Sequence, residues 1–477
     1  MSRVLHYLIR GQEELVAISE SKEILNESSF GSIYDLLDSQ YVVYVNTVGV
    51  DYSIKDNPFS NTLFKYYFVD GESVLRYIKK KYSIVDYVVY GNQDNDVNLF
   101  LKRVFKKHDK SFIRIMIGFS VIKSFFLFGV SILASLFYLT LHTFKKREIP
   151  DYQEVAIVHS RSSYSKINKF SQSSCIYLYD SILFSLKCKK AYPLYSWLLK
   201  RDIFKNYVYL VYNSICLFRD TTKKANAMYG FPLVIKKMSY IGKRIPHYIL
   251  LEMSLDIALA NIKPHQYLSG EKESRLAFLH NKLARKRGKY IQCIPHGLEY
   301  SFKYPQGLQG NKFFATSKYA CEELRKLYPQ TDFEFNEKIQ KRINSYAVKL
   351  NSKSVNIVYF PEGRDTKIDE DILKELSNEV KVYVKLHPND SKENYKSIEN
   401  LIYIDDFALA ISGNICISRK STVLVEGLYN SSISIAILNN KKDQFLFENS
   451  YLSLGDKQIL KYYSLPELIN YLKSISS

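Results

Sequence analysis

The sequence predicts an α/β chain with two parallel-sheet halves, an amino-terminal α/β extension and a hydrophobic helical insert. Three observations lead there. Short, apolar, β-branched runs such as KVYVKL (381–386) and ICIS (415–418) have the pattern of buried parallel strands. Amphipathic helical spacers separate these runs, and the strand–helix–strand pattern starts twice, at EVAIVHS and at NIVYFPEGRD. Between them and the amino terminus lies a run with no charge from Ser124 to Leu141.

The 477 residues suit two globular domains with added material, and 46% hydrophobic residues exclude a disordered chain. A net charge of +19 points to an anionic partner such as a nucleotide, an anionic membrane surface or an acidic glycan. Scattered Lys and Tyr usage accounts for it equally well. No Arg-rich helix or zinc-finger spacing supports a nucleic-acid partner. Cys175, Cys188, Cys216, Cys293, Cys321 and Cys416 form no C-x-x-C pair, and most lie in apolar runs, so they read as buried thiols of a reducing compartment. MSRVLHYLIRG reads as a strand-like start rather than a signal peptide.

Residues 1–110 alternate strand-like and helical patches, VLHYLI, YVVYVNT, KYYFVDG and VDYVVYG, and carry no catalytic motif. Residues 111–147 form the insert. The uncharged stretch, as a helix, is about 27 Å long, barely enough to cross a hydrocarbon core. Lys106, Lys107 and Lys110 precede it, and Lys145, Lys146 and Arg147 follow. Positive charge on both sides favours a re-entrant or interfacial hairpin over a single span. A buried core helix is the third reading.

Residues 148–350 are expected to form the first main domain. EVAIVHS, RSSYSKINKF and CIYLYDS resemble the opening βαβ of a Rossmann-like half, and 181–250 reads as helical and aromatic. The stretch 255–330 gives the strand HQYLS, a Gly270-Glu271 turn, an amphipathic helix and the strand YIQCI ending in Pro295-His296-Gly297. A long polar helix over 330–353 leads into residues 351–477, the second Rossmann-like domain. That domain opens on NIVYF and Pro361-Glu362-Gly363-Arg364, and its final helix (SLPELINYLKSI) is expected to pack back across a cleft.

In an open parallel sheet, ligands bind at the carboxyl ends of the strands. Lys385, His387, Pro388 and Asn389 follow KVYVKL, and Ser418, Arg419, Lys420, Ser421 and Thr422 close or follow ICIS. These cations and hydroxyls share one crevice, and a helix opening at Ser421-Thr422 adds free N–H groups, a combination suited to phosphate.

The wording of these motifs, K-x-H-P, then S-x-x-S/T and a helix carrying Glu426, resembles the carboxy-terminal half of GT-B glycosyltransferases that build bacterial surface polysaccharides. Bacterial sialyltransferases, polysialyltransferases and Kdo transferases are the nearest in wording, and CDP-glycerol glycerophosphotransferases share the layout. The set G-E, then H-G, then F-x-x-T/S-x-x-A resembles the end of the amino-terminal domain of the same enzymes. The resemblance spans roughly residues 260–440. It implies two Rossmann-like domains facing a cleft and a nucleotide-sugar donor, with a CMP-linked acidic sugar slightly favoured. It also implies a glycan or glycolipid acceptor of capsule, lipopolysaccharide or O-antigen, and a place on the cytoplasmic face of the bacterial inner membrane. No metal is expected, since helix dipoles and cations can neutralise the leaving phosphate.

On this resemblance His387 and Lys385 assist the leaving phosphate, with Pro388 setting the turn. Ser418, Ser421 and Thr422 bind phosphate, Glu426 reaches ribose, and Arg364 binds phosphate or a donor carboxylate. Three residues compete as the base: His296 first, then Glu271, then Glu362. Glu362-Gly363 is similar to the acidic-acidic-Gly motif of sialyltransferases, although Pro361 holds the first acidic position here. The other histidines read as structural, with His159 placed at a strand end. Two alternatives stay open: a CDP-polyol phosphotransferase, and a non-catalytic membrane-bound assembly protein.

Overall fold

The computed structural model describes residues 3–10, 13–19, 31–52, 57–91, 96–107, 110–143, 154–171, 175–197, 202–262, 265–305, 307–346, 355–363, 366–399 and 401–476. The chain divides into two compact units, one of residues 1–296 and 303–313, the other of 297–302 and 314–477.

In the first unit, β1 (Arg3–Arg10) pairs antiparallel with β2 (Glu13–Ser19), which pairs with β3 (Gly31–Ser32). β1 also pairs in parallel with β4 (Ile84–Gly91), which completes a four-stranded sheet separate from the main sheet of the unit. VLHYLI and VDYVVYG are strands. YVVYVNT and KYYFVDG are helical, because their aromatic rings pack between helices: buried Tyr41 donates from its hydroxyl to the carbonyls of Phe68 and Val69.

The main sheet of this unit uses β5 (Glu154–Val158), β6 (Cys175–Tyr179), β7 (Ala191–Pro193), β8 (Gln266–Ser269), β9 (Tyr290–Cys293) and β10 (Lys312–Phe314). They pair in parallel, in the order β7-β6-β5-β8-β9-β10. Val155, Ala156, Ile157 and Val158 are all buried, which is why β5 reads as a continuous apolar run rather than an alternation. Among the described residues between 181 and 202 lie turns, β7 and a single 3-10 turn at Leu194–Trp197, and the long helix begins only at Ile203.

The insert is one continuous helix, Lys110–Thr143. The hairpin expected from the flanking charges does not form. The segment contains no proline, and Ser124 and Thr140 return hydrogen bonds to the carbonyls of Ser120 and Leu136 without breaking it. Lys145, Lys146 and Arg147 lie outside the described residues.

In the second unit, β11 (Asp332–Glu334) and the helix Glu337–Asn344 occupy part of the stretch read as one long polar helix. Asn336 caps that helix, accepting from the Ile339 N–H, and so fixes its start beyond the strand. The sheet of this unit is β12 (Ile357–Tyr359), β13 (Val382–Val384), β14 (Ile402–Tyr403), β15 (Ile415–Ser418), β16 (Ile433–Ile437) and β17 (Leu460–Tyr462). It is parallel throughout, in the order β14-β13-β12-β15-β16-β17. The final helix, Leu465–Ser476, sets Leu468 and Leu472 into the core of this sheet beside Ile357, Val384, Ile417 and Ile435. It is therefore a core element of its own unit.

Numbered in chain order, β5–β10 and β12–β17 each run 3-2-1-4-5-6, the doubly wound order. The order reverses direction between β5 and β8 in the first unit and between β12 and β15 in the second. Ligands of such sheets bind outside the carboxyl ends of those strands.

Candidate active site

In the first unit, the reversal point gathers the residues after β5, β8 and β9. His296 follows β9, and its Nδ1 lies 2.9 Å from the Gly270 carbonyl oxygen and 3.0 Å from Ser163 Oγ. A carbonyl can only accept, so Nδ1 carries the proton and Nε2 keeps its lone pair. A neutral His296 is thus oriented as a base. Ser163 sits in the first turn of the helix Arg161–Phe170, which Ser160 caps. Gly270 is needed for this approach: a Cβ there would come within 2.5 Å of Ser163 Oγ.

Glu271 is one residue further on. Its Oε2 accepts from Ser274 Oγ at 2.9 Å, and its N–H donates to Ser269 Oγ at 3.1 Å. Ser274 caps the next helix through the Leu276 N–H, which ties the Glu271 carboxylate to a structural turn.

Below this turn runs a buried polar chain. Ser269 Oγ, which accepts from the Glu271 N–H, lies 2.7 Å from His280 Nδ1. His280 Nε2 lies 2.8 Å from His159 Nε2, so one ring donates to the other. His159 Nδ1 faces Asp180 Oδ2 at 4.0 Å. Asp180 also accepts from His247 Nε2 at 2.8 Å, from the Tyr195 hydroxyl at 2.8 Å and from the Ile182 N–H at 3.0 Å. Burial pushes the pKa of both His159 and His280 down, so the pair is neutral. Burial alone would raise Asp180, but the hydrogen bond and charge of His247 outweigh it and hold the carboxylate ionised. Spacing along the chain offers none of these histidines a partner; the fold around β5 and β8 brings the rings together.

In the second unit, the reversal point joins the loops after β12, β13 and β15. Arg419, directly after β15, is fully buried. Its Nε donates to Asp369 Oδ1 at 3.0 Å and its Nη1 to Asp443 Oδ2 at 2.9 Å, with Glu362 Oε2 at 3.5 Å from Nη2. Lys420 donates its backbone N–H to Glu362 Oε1 at 2.7 Å and its Nζ to Glu362 Oε2 at 2.8 Å. Asp443 Oδ1 takes a further bond from Lys420 Nζ at 2.5 Å. Two of the cations that the sequence offers to the crevice, Arg419 and Lys420, are therefore paired inside the protein. Glu362, one of the three candidate bases, is their counter-ion. Arg419, which burial would push down, stays protonated because three carboxylates surround it. Burial raises Asp369 despite the opposing Arg419 charge.

Ser418 is buried, and its hydroxyl donates to the Phe360 carbonyl at 2.7 Å, which bridges β15 to the loop after β12. Ser421 caps the short helix Thr422–Leu428 and accepts from the Val423 N–H at 3.4 Å. Thr422 beside it is half-buried. Glu426 is buried one turn on, where its charge adds to burial in raising the Tyr346 phenol.

His387 is exposed at the carboxyl end of β13, and Pro388 follows it, also exposed. The Asn389 N–H donates to His387 Nδ1 at 3.1 Å. That leaves the proton of a neutral ring on Nε2, so this histidine is oriented as a donor. Lys385 is half-buried and its N–H donates to the Tyr359 carbonyl at 3.0 Å, joining the two loops. Gly363 closes the same corner with φ +68°, where an added Cβ would lie 3.2 Å from the Asp390 Cβ and 3.4 Å from the His387 Cβ. Arg364 lies outside the described residues.

No protein-family model matches this chain, and no curated protein matches it. Among solved structures, the chain is similar to the UDP-GlcNAc 2-epimerase from Neisseria meningitidis bound to UDP-GlcNAc. The identity is 10% and the TM-score 0.37, over 68% of this chain and 91% of that one.

Proposed function

We propose that this protein is an inverting, metal-independent glycosyltransferase that moves a sugar from a nucleotide donor to a surface-glycan acceptor. The donor in this reading is a CMP-linked acidic sugar such as sialic acid or Kdo, and the acceptor is a glycan or glycolipid of capsule, lipopolysaccharide or O-antigen type. The observation that carries the reading is the opposite proton placement on two histidines, each at the carboxyl end of a strand in a doubly wound sheet. Nδ1 of His296 donates to a carbonyl, which leaves Nε2 to accept a proton, whereas Nδ1 of His387 accepts from an N–H, which leaves Nε2 to donate one.

In this scheme His296 Nε2 takes the proton of the acceptor hydroxyl as its oxygen attacks the anomeric carbon. The bond from that carbon to the donor phosphate oxygen breaks, and the nucleotide leaves with the electron pair. Lys385 and His387 Nε2–H offset the charge on the departing phosphate, and the Ser421 and Thr422 hydroxyls bind it. Ser163 and Gly270 orient His296. Glu271 and Glu362 are positioning groups, since each already holds a turn or a cation.

A thermal-shift panel with CMP, CDP, UDP and GDP tests the donor. A nucleotide at a hundredfold its dissociation constant adds about 2.7 kcal/mol, on the order of several degrees. A shift with CMP alone is expected. A shift with CDP alone replaces sugar transfer by polyol-phosphate transfer. If folded protein shifts with none of them, the nucleotide reading fails and the non-catalytic assembly role takes its place.

A further inference from the structure

One apolar surface in the first unit plays no part in that chemistry. The helix Lys110–Thr143 contains a stretch, Phe119–Leu141, long and apolar enough to cross a membrane. Yet one side of it is packed within its own unit. Ser124, Phe128, Ser135 and Leu139 are buried, and Phe128 stacks on Phe218 of the helix Ile203–Tyr229 at 4.5 Å between ring centres. Ser131 donates to the Lys243 carbonyl at 2.7 Å, and Thr140 bonds the Tyr207 hydroxyl at 2.6 Å. The opposite stripe, Phe119, Ile122, Phe126, Val130, Leu133 and Phe137, repeats every three or four residues and is exposed, Phe126 and Leu133 each 68%.

The neighbouring helix shows the same division. Leu210, Ser214 and Phe218 face inward, while Phe204, Val208, Tyr212 and Ile215 are exposed. Phe218 lies against Phe125 and Phe128, and Tyr207 against Thr140, so the two helices run antiparallel, side by side. Exposed contiguous apolar surface on this scale marks an interaction site. The charges name the partner. Residues 110–143 contain no carboxylate, and the helix Ile203–Tyr229 holds a single one, Asp220, beside Arg219. Lys123 and Arg219 lie exposed toward one end of the pair and Lys205 toward the other. Two apolar stripes flanked by cations suit the headgroup and acyl boundary of an anionic leaflet.

We infer that the helices Lys110–Thr143 and Ile203–Tyr229 together form an in-plane docking surface for an anionic phospholipid bilayer, entering one leaflet without crossing it. This surface does not depend on the transfer reaction, and its test reads binding alone.

The full-length protein is floated with phosphatidylcholine vesicles with or without phosphatidylglycerol. Flotation with the anionic vesicles, weakened in high salt, is expected, with weaker and salt-insensitive flotation on the neutral ones. Leu133→Glu combined with Val208→Glu should abolish it while leaving the thermal unfolding transition in place, because both side chains are exposed. Lys205→Glu and Arg219→Glu should each weaken anionic binding at least about fivefold, the factor for about 1 kcal/mol per cation at the surface. Unchanged flotation of the double Glu variant overturns the proposal. So does a lipid-free dimer that the double variant dissociates, which would assign the face to a second copy. Topology is read from Lys107→Cys and Asp202→Cys, which lie toward opposite ends of the helix Lys110–Thr143, made in a Cys216→Ser background and treated with an impermeant maleimide in sealed vesicles. Labelling of both from one side supports docking in the plane, and labelling from opposite sides makes the helix a span.

Discussion

His296 and His387 show how a single contact sets what an imidazole can do. Each ring has one nitrogen committed to the backbone, to a carbonyl in one case and to an N–H in the other. His296→Asn keeps a side-chain donor for the Gly270 carbonyl but removes the base, so transfer should fall by about 10²–10⁴-fold. Steady-state kinetics with the donor that passes the thermal-shift test decides this, and a loss under tenfold removes His296 from the base role. Arg419 belongs to the same scale but a different duty. Replacing it with Met leaves Asp369, Asp443 and Glu362 crowded with only Lys420 to offset them. Breaking such a buried arrangement costs about 3–5 kcal/mol, which denaturant unfolding of Arg419→Met should register. A change near zero would mean that water reaches the cluster.

At the scale of the element, the corner after β12 controls the loop after β13. Gly363 has a left-handed backbone, and an Ala there costs about 1–2 kcal/mol before any contact is counted. Its Cβ would also press on His387 and Asp390. Gly363→Ala should therefore lower the melting temperature by a few degrees and cut turnover by up to about 10²-fold through displacement of His387. Full activity in a destabilised Gly363→Ala protein would detach His387 from the chemistry. The strands β5 and β8 give a second case. The chain from Glu271 through Ser269, His280 and His159 to Asp180 exists only because those strands are neighbours. Burial holds both rings neutral, with folded-state pKa values below the ordinary 6.5. The unfolded chain then binds more protons below pH 6.5, so this contribution to stability is complete above that pH and declines as the pH falls beneath it. Thermal midpoints recorded between about pH 5 and 8 should drop on the acid side, and His280→Gln should flatten that drop. An equal acid slope in the variant would place its origin elsewhere.

Across the whole molecule, the two units share one strand order but carry different groups at the reversal point. The first has the neutral His159–His280 pair and hydroxyls beside the Asp180 carboxylate, and the second has an ionic cluster with an exposed histidine beside it. The acid sensitivity accordingly belongs to the first unit. Nucleotide protection should appear in the second: hydrogen exchange with CMP present is expected to slow in 385–390 and 418–428, after β13 and β15. Protection confined to the first unit would reverse the assignment of the donor to the second.

Much of this was legible in the sequence because it depends on local pattern. Buried parallel strands are continuous apolar runs, so β5, β12, β13 and β15 stand out, and the polar residues after β9 and β13 mark His296 and the Lys385–Pro388 turn. Composition alone separated the uncharged insert from its surroundings. Other features depend on neighbours far apart in the chain. Strand order decided that Glu362 meets Lys420, that Asp369 and Asp443 enclose Arg419, and that His159 meets His280. Helix packing decided that one stripe of the insert is covered and the other exposed, where flanking charge had pointed to a hairpin. A sequence displays which side chains can ionise, donate or pack, because those are properties of the residue. Which of them face one another, and which ring nitrogen keeps its lone pair, follows from the tertiary structure, because a hydrogen bond needs both partners in place.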